Sequence, residues 1–489
     1  MSRAARVYRL PVLLVVIAAI VAALVLDRSP SASTTGGARA TANIDGASVP
    51  PVDAVSASWF CAEGTSNEGG RADETVIIAS LATGRIDATV TVMPADSHAP
   101  ESRHVRVAPG SQERVQISSV LRTAEPGVVV EVVGGQAVVS HELRGSDDVA
   151  VEPCTRRAGT DWYFAAGTSV KGSQQFLVLF NPFGDDAIVD TTLYTDAGVQ
   201  QPDDLQAMVV PRRSRVSLPL HDIDPRQERI AVHTHARAGR VVAERTLVFD
   251  GTAPDTGPTR QGLAVSLGAE SPAGVWQLVS GTTEGGGAAA VSIANFGTRE
   301  TTVEVGVLLA EDQTVAPQPV TIPGGGVVAV DVTQNVPVES AFAVTVTSRD
   351  VEGTTGPVVA ELLAWWPPGT AHRGIATTLG SVHAARRWVI PLPAVDSAGS
   401  LTVLNPGAKP ITAALLPARF IDRPSGATSE PERGVAPQHT ATFQVVKVSN
   451  DGSGALVVTA DRPVIVGFTI AGSAGAAASA GIPDRAYRH

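Results

Sequence analysis

The segment VHTHAR places two imidazoles, His233 and His235, two residues apart. On an extended strand such residues share a face, and zinc accepts two imidazoles so arranged. His221 and Asp222 are the nearest groups that would complete a ligand set. Carboxylates are paired at Asp203 with Asp204 and at Asp222 with Asp224, in segments that read as loops able to hold calcium. Trp365 and Trp366, followed by two prolines, have the surfaces for stacking on a sugar ring. Strand alternation predicts that one is buried and the other exposed.

Each chemistry has a plainer counterpart in the same sequence. One repeat after VHTHAR stands VTVTSR, so the histidines replace Thr345 and Thr347, polar positions of an alternating strand. They are expected to face solvent, and no metal is expected. The aspartate pairs lack the spacing of a calcium loop, and aspartate is common in turns. Nucleophile and phosphate motifs are missing: there is no GxSxG, SxxK, HExxH, Walker or dinucleotide pattern. The glycine run GTTEGGGAAA opens a strand and not a helix, so it is no phosphate cradle. No catalytic residue or cofactor is assigned, and the chain reads as non-enzymatic.

The elements that hold these residues are set by a repeat. WFCAEGTS from Trp59, WYFAAGTS from Trp162 and WQLVSGTT from Trp276 are near copies, and Trp388 opens a fourth, WVIPLPAV. Glycine stands five past the tryptophan at 64, 167 and 281, with Pro393 in the last copy. Behind each comes an apolar strand and a turn, in which Asn181, Asn295 and Asn405 share a slot with Ser80. A later motif, AVVSHE, RVVAER, PVVAEL and PVIVGF, puts His141, Glu244, Glu361 and Gly467 in one slot, read as a structural strand-end position. The copies close at Cys154, Gly268 and Gly380, each eight residues before the next tryptophan.

Alternation with turns every 8 to 12 residues is the pattern of an all-β sandwich or barrel. Units of about 100 residues have the size of an immunoglobulin-like sandwich. The expected fold is therefore all-β, with tandem immunoglobulin-like β-sandwich units after one N-terminal transmembrane helix. The units span 56–154, 155–268, 269–380 and 381–483, with a short tail at 484–489. Trp59, Trp162, Trp276 and Trp388 are the expected core of each. Cys61 sits two past the first tryptophan, where the other copies are apolar, and Cys154 closes the same copy. Two cysteines beyond a membrane segment favour a disulfide.

Compartment follows from the first residues. Arg3, Arg6 and Arg9 precede an unbroken apolar run, Leu10 to Leu26. The run exceeds a usual signal core and lies far from any small-residue cleavage site. Residues 1–9 read as cytoplasmic, 10–26 as a membrane anchor, 27–55 as a flexible linker, and the rest as extracytoplasmic. A cleaved, secreted form is the alternative. Net charge is −11 with no basic cluster longer than adjacent arginines, which excludes nucleic acid as a partner.

The anchor, the tandem WxxxxGTS units, the LVLFNP and VVAER motifs and the close near Gly481, Ile482 and Pro483 resemble a family of actinobacterial proteins, domain of unknown function 5719. The resemblance covers roughly residues 56 to 483 and implies secreted or membrane-attached envelope proteins. It carries over no catalytic residues. The sequence thus points to a structural or interaction role with an envelope protein or polymer. A carbohydrate-binding module for cell-wall glycans is the alternative, and a hydrolase with a site between units is a third reading.

Overall fold

Strand alternation in the first copy builds eight strands: β1 (Ser56–Cys61), β2 (Asp73–Ser80), β3 (Ile86–Met93), β4 (Glu101–Val107), β5 (Gln112–Gln116), β6 (Gly127–Val133), β7 (Ala137–Arg144) and β8 (Val149–Pro153). In β3, Ile86, Ala88, Val90 and Val92 are buried while the residues between them are exposed or half-buried, as one inward face requires. The strands form two antiparallel sheets, ordered β1-β6-β3-β4 and β5-β2-β7-β8. This computed structural model describes residues 46–487, apart from 67–69, 97, 146–147, 311–312, 314, 351–355, 395–398, 421–431 and 446–453. The expected segments 1–9 and 10–26, and the linker up to residue 45, lie outside the described residues, within which no helix is long and apolar enough to cross a membrane.

Residues 161–267 and 275–379 repeat the pair of sheets. In the fourth copy one 17-residue strand, Leu456–Gly472, joins them. Its first half pairs with Ala385–Ile390 and Ile411–Pro417, and its second with Gly399–Leu404 and Gly475–Ala480. The strand order departs from the immunoglobulin one, in which the first strand lies beside the second and the last beside the sixth. Here β1 pairs with β6, and β7 pairs with β2. The segment after each tryptophan carries the chain across to the opposite sheet, which puts the first strand on the far side of the sandwich.

All four repeat tryptophans are fully buried. Trp162, Trp276 and Trp388 donate their indole N–H to the carbonyls of Val241, Val358 and Val464 at 2.8, 2.7 and 2.9 Å, whereas the Trp59 indole nitrogen has no partner. The glycines that close the later copies lie tight against the indole: a Cβ on Gly268, Gly380 or Gly481 would lie 3.1 Å from the ring of its own tryptophan, and on Gly268 2.8 Å from Phe164 as well. Cys154 holds that position in the first copy and is bonded to Cys61. The slot asparagines each donate to the carbonyl four residues on, at 2.8 Å, and accept from the N–H two residues on. That is the local bonding which makes asparagine a turn residue.

The copies close on one another. The last strands, β8, Gln261–Leu267, Gly374–Leu379 and Gly475–Ala480, touch in a cycle, each meeting the next copy's and the fourth meeting the first. Close approach demands glycine: Gly374, at φ 109, would carry a Cβ 2.6 Å from the Ala476 nitrogen, and Gly475, at φ 115, one 2.9 Å from that of Val149. Cores are shared in the same sense. Ala62 and Val129 enter the second core, Ala165 and Ala231 the third, Val279 and Ala343 the fourth, and Val389, Val457 and Ile482 return to the first. The chain start joins in: the N–H of Val49 donates to the Pro483 carbonyl at 3.0 Å, and Gln136 donates to that of Pro50 at 2.6 Å. Residues 46–50 are thus docked on the ring, and a free linker reaching residue 55 is not what the fold shows.

Candidate functional site

The recurring slot is where copies clasp. Strand pairing sets Ile77 opposite Ser140, as it sets Val178 opposite Glu244, Ser292 opposite Glu361 and Thr402 opposite Gly467. Ser140, and not His141, is therefore the first copy's member, and a slip of one residue exchanges the faces of a strand. Glu361 accepts the backbone N–H groups of Ala165 and Ala166 at 3.1 and 3.3 Å, and Glu244 that of Glu63 at 2.7 Å. These donors lie three and four residues past the preceding copy's tryptophan. Arg245 reinforces the second clasp, pairing with Glu361 at 2.7 Å and donating to the Ala166 carbonyl.

The remaining junctions use other means. At Gly467 a Cβ would lie 1.9 Å from the Val279 carbonyl oxygen: the third copy's backbone fills the space a side chain would need. The fourth copy returns to the first through Leu392, whose carbonyl accepts from Gln112 at 2.9 Å and Arg114 at 3.2 Å, and through Ala394, whose N–H donates to Glu142 at 3.0 Å. Charge-assisted bonds to backbone N–H groups are among the stronger hydrogen bonds. They hold the glutamates at the two junctions where the preceding copy presents backbone N–H donors.

A buried ionisable cluster lies between the first and second copies. His141 contacts Glu74 at 3.2 Å and Glu244 at 3.6 Å, all three side chains being fully buried. Burial raises Glu74 to about 7 and Glu152 to about 8, and raises Glu244 as well. Burial alone would push His141 down, but Glu244 and Glu74 prevail and hold it at about 9. Burial would likewise raise Glu63, yet Arg215 and Arg71 keep it below its ordinary value. Such a cluster stores protons, and its charges are engaged with one another. His141 also abuts the disulfide, its ligand atom within 4.8 Å of both sulfurs. Oxidised sulfurs are no metal ligands.

The other sequence candidates fall apart from one another. His235 is exposed, but His233 is half-buried, stacked on Tyr163 with centroids 4.2 Å apart. Solvent exposure of both was expected, and the third copy's Phe296, 5.0 Å from Tyr163, covers the first ring instead. Both imidazoles bond one oxygen of Asp161, at 3.0 and 2.9 Å. Asp222 points to solvent, while Asp224 is buried and bonded by Gln227. Trp365 and Trp366 are both buried, at 8% and 0% exposure. The face expected to be open is covered by Leu247, Phe249 and Ala264 of the second copy, so this pair offers no stacking platform.

Fold and site together define, among the described residues, a nearly all-β protein of four tandem antiparallel units closed through clasps between copies. A family model described as "Family of unknown function (DUF5719)" matches residues 143–256, from the end of β7 to the loop before the second copy's last strand. No curated protein matches. Among solved structures, Thermotoga maritima 1070 shares 19% identity over 22% of this chain and 94% of that one, with a TM-score of 0.20. Streptomyces avermitilis alpha-L-rhamnosidase, complexed with L-rhamnose, shares 11% over 78% and 55%, with a score of 0.13. A tetra-tandem repeat from the extending region of a large adhesion protein shares 11% over 88% and 100%, with a score of 0.11. At these scores the likenesses carry no argument about activity.

Proposed function

We propose that the chain is a non-enzymatic scaffold of the cell envelope, held at the outer face of the cytoplasmic membrane by residues 10–26 and offering its ring of sandwiches to protein or polymer partners. The observation that carries this reading is the use of the recurring glutamates: they tie copy to copy. Their geometry favours rigidity over turnover.

Two solvent-open clefts at the rims supply binding surface. One, of about 830 Å³, lies where Asp96 and His98 of the first copy face Asp186 and Arg212 of the second. The other, of about 660 Å³, lies where Glu339 of the third copy faces Glu432 and Arg433 of the fourth. A photo-crosslinking residue at Asp186 or Glu432 in the native envelope is expected to capture discrete partners. Absence of adducts at both positions, or the same adducts from an exposed position outside both clefts such as Val55, would overturn the scaffold reading. Release of the protein from membranes by salt alone would overturn the anchor.

A further inference from the structure

A buried charge is costly unless it is paired. Arg215 pairs with Glu63, Arg245 with Glu361 and Arg387 with Asp484. Arg260, a half-buried residue, stands apart from these three. Its guanidinium lies 4.5 Å over the Trp365 ring and 5.5 Å from that of Phe249. Its Nε is buried without a hydrogen-bond partner, and among the described residues it has no carboxylate partner. Burial lowers its pKa to about 10, so it remains a cation at neutral pH.

The guanidinium borders a cavity of about 200 Å³ between the second and third copies. Lys171 and Arg229 line it too, and Arg229 is already held by Asp196. Glu228 is the one carboxylate of the lining, and it accepts the Thr256 hydroxyl at 2.7 Å. Cations therefore outnumber anions, with the Thr252 and Thr256 hydroxyls beside them. Two aromatic rings flank the guanidinium, and its fork matches the two oxygens of a carboxylate or phosphate. The volume equals about seven waters of about 30 Å³ each, enough for an oxyanion on one small polar ring.

We infer that this cavity binds a small oxyanion carried on a polar body, a sugar acid or sugar phosphate in chemical class, with Arg260 as the bidentate anchor and Lys171 adding charge at the mouth. The inference stands independently of the scaffold reading, since it concerns one pocket and not the ring.

The test is calorimetric titration of the full chain at low salt with D-glucuronate, inorganic phosphate and glucose. One site per chain is expected for at least one oxyanion and none for glucose. Binding of glucuronate alone identifies a carboxylate ligand, and binding of phosphate alone a phosphoryl one. Arg260→Gln should weaken binding by about tenfold or more, as loss of a charge-assisted pair implies. Lys171→Gln, at an exposed position, should weaken it by about two- to fivefold. If Arg260→Gln does not fold, the lysine variant decides. No binding of either oxyanion up to about 10 mM, or affinity unchanged in the folded variants, would overturn the inference.

Discussion

Gly467 offers a sharp test of closure, because the repeat and the structure make opposite forecasts for it. Two other copies carry glutamate in its slot, so a repeat-consensus substitution would be Gly467→Glu, and consensus changes commonly stabilise by about 0.5–2 kcal/mol. The structure forecasts the reverse. A Cβ there would sit 1.9 Å from the Val279 carbonyl oxygen and 2.8 Å from the Ser280 hydroxyl, against an ordinary contact of 3.4 Å or more. The junction between the third and fourth copies must open by about 1.5 Å to admit one methyl, and overpacking of this kind costs about 1–3 kcal/mol. Gly467→Glu adds a buried carboxylate against a backbone carbonyl, with the unpartnered Ser280 hydroxyl as a donor beside it, and costs about 3–5 kcal/mol more. Denaturant unfolding measures the loss, and hydrogen exchange locates it at residues 278–281 and 465–468. Gly84→Ala is the control, since a Cβ there meets nothing within 4 Å. If Gly467→Ala matches that control, or Gly467→Glu proves more stable than the native chain, the account of the junction is refuted.

Further expectations follow from the clasps, the cluster and the cores. Glu361→Gln leaves Arg245 buried without its partner, and a loss of about 3–5 kcal/mol in denaturant unfolding is expected, largely recovered when Arg245 is also replaced by Met. Glu74, Glu152 and His141 bind protons more tightly folded, at about 7, 8 and 9, than their ordinary 4.5, 4.5 and 6.5. Their stabilisation is complete below those ordinary values and is lost as pH rises through the folded ones, so the melting midpoint should fall from about pH 5 to about pH 9; a rising midpoint would contradict the cluster. Trp276→Phe should cost about 1 kcal/mol more than Trp59→Phe, because only the first loses an indole hydrogen bond. Replacing Cys61 and Cys154 together by alanine should cost about 4–5 kcal/mol by loop entropy, the bridge spanning 93 residues; unchanged unfolding would show that the ring already holds these strands.

What the sequence made legible was what each copy does for itself. The buried tryptophans, the asparagine turns and the closing glycine or cysteine all act through contacts inside one sandwich, and each leaves a mark at fixed spacing. The clasps were harder to read. A glutamate that accepts backbone N–H groups has partners with no side-chain signature, so Ala165 and Ala166 could not be found as its donors. The first copy's slot was misread for a related reason: the apolar pair in AVVSHE fits either of two alignments, and only pairing with β2 selects Ser140. Trp365 and Trp366 obey alternation within their strand, but a neighbour from another copy covers the outer ring. Closure also explains Arg260, which looks like an ordinary surface arginine until the third copy's indole is placed beneath it.

An open stack of repeats can grow or shrink, provided its end members are capped with polar faces. A circle of copies has no end members, and Val49 bonded to Pro483 shows where its seam lies. Duplicating or deleting one sandwich would leave two mismatched edges at that seam. The number four is therefore built into the molecule, and lineages of this chain would diversify at the rims while keeping the count.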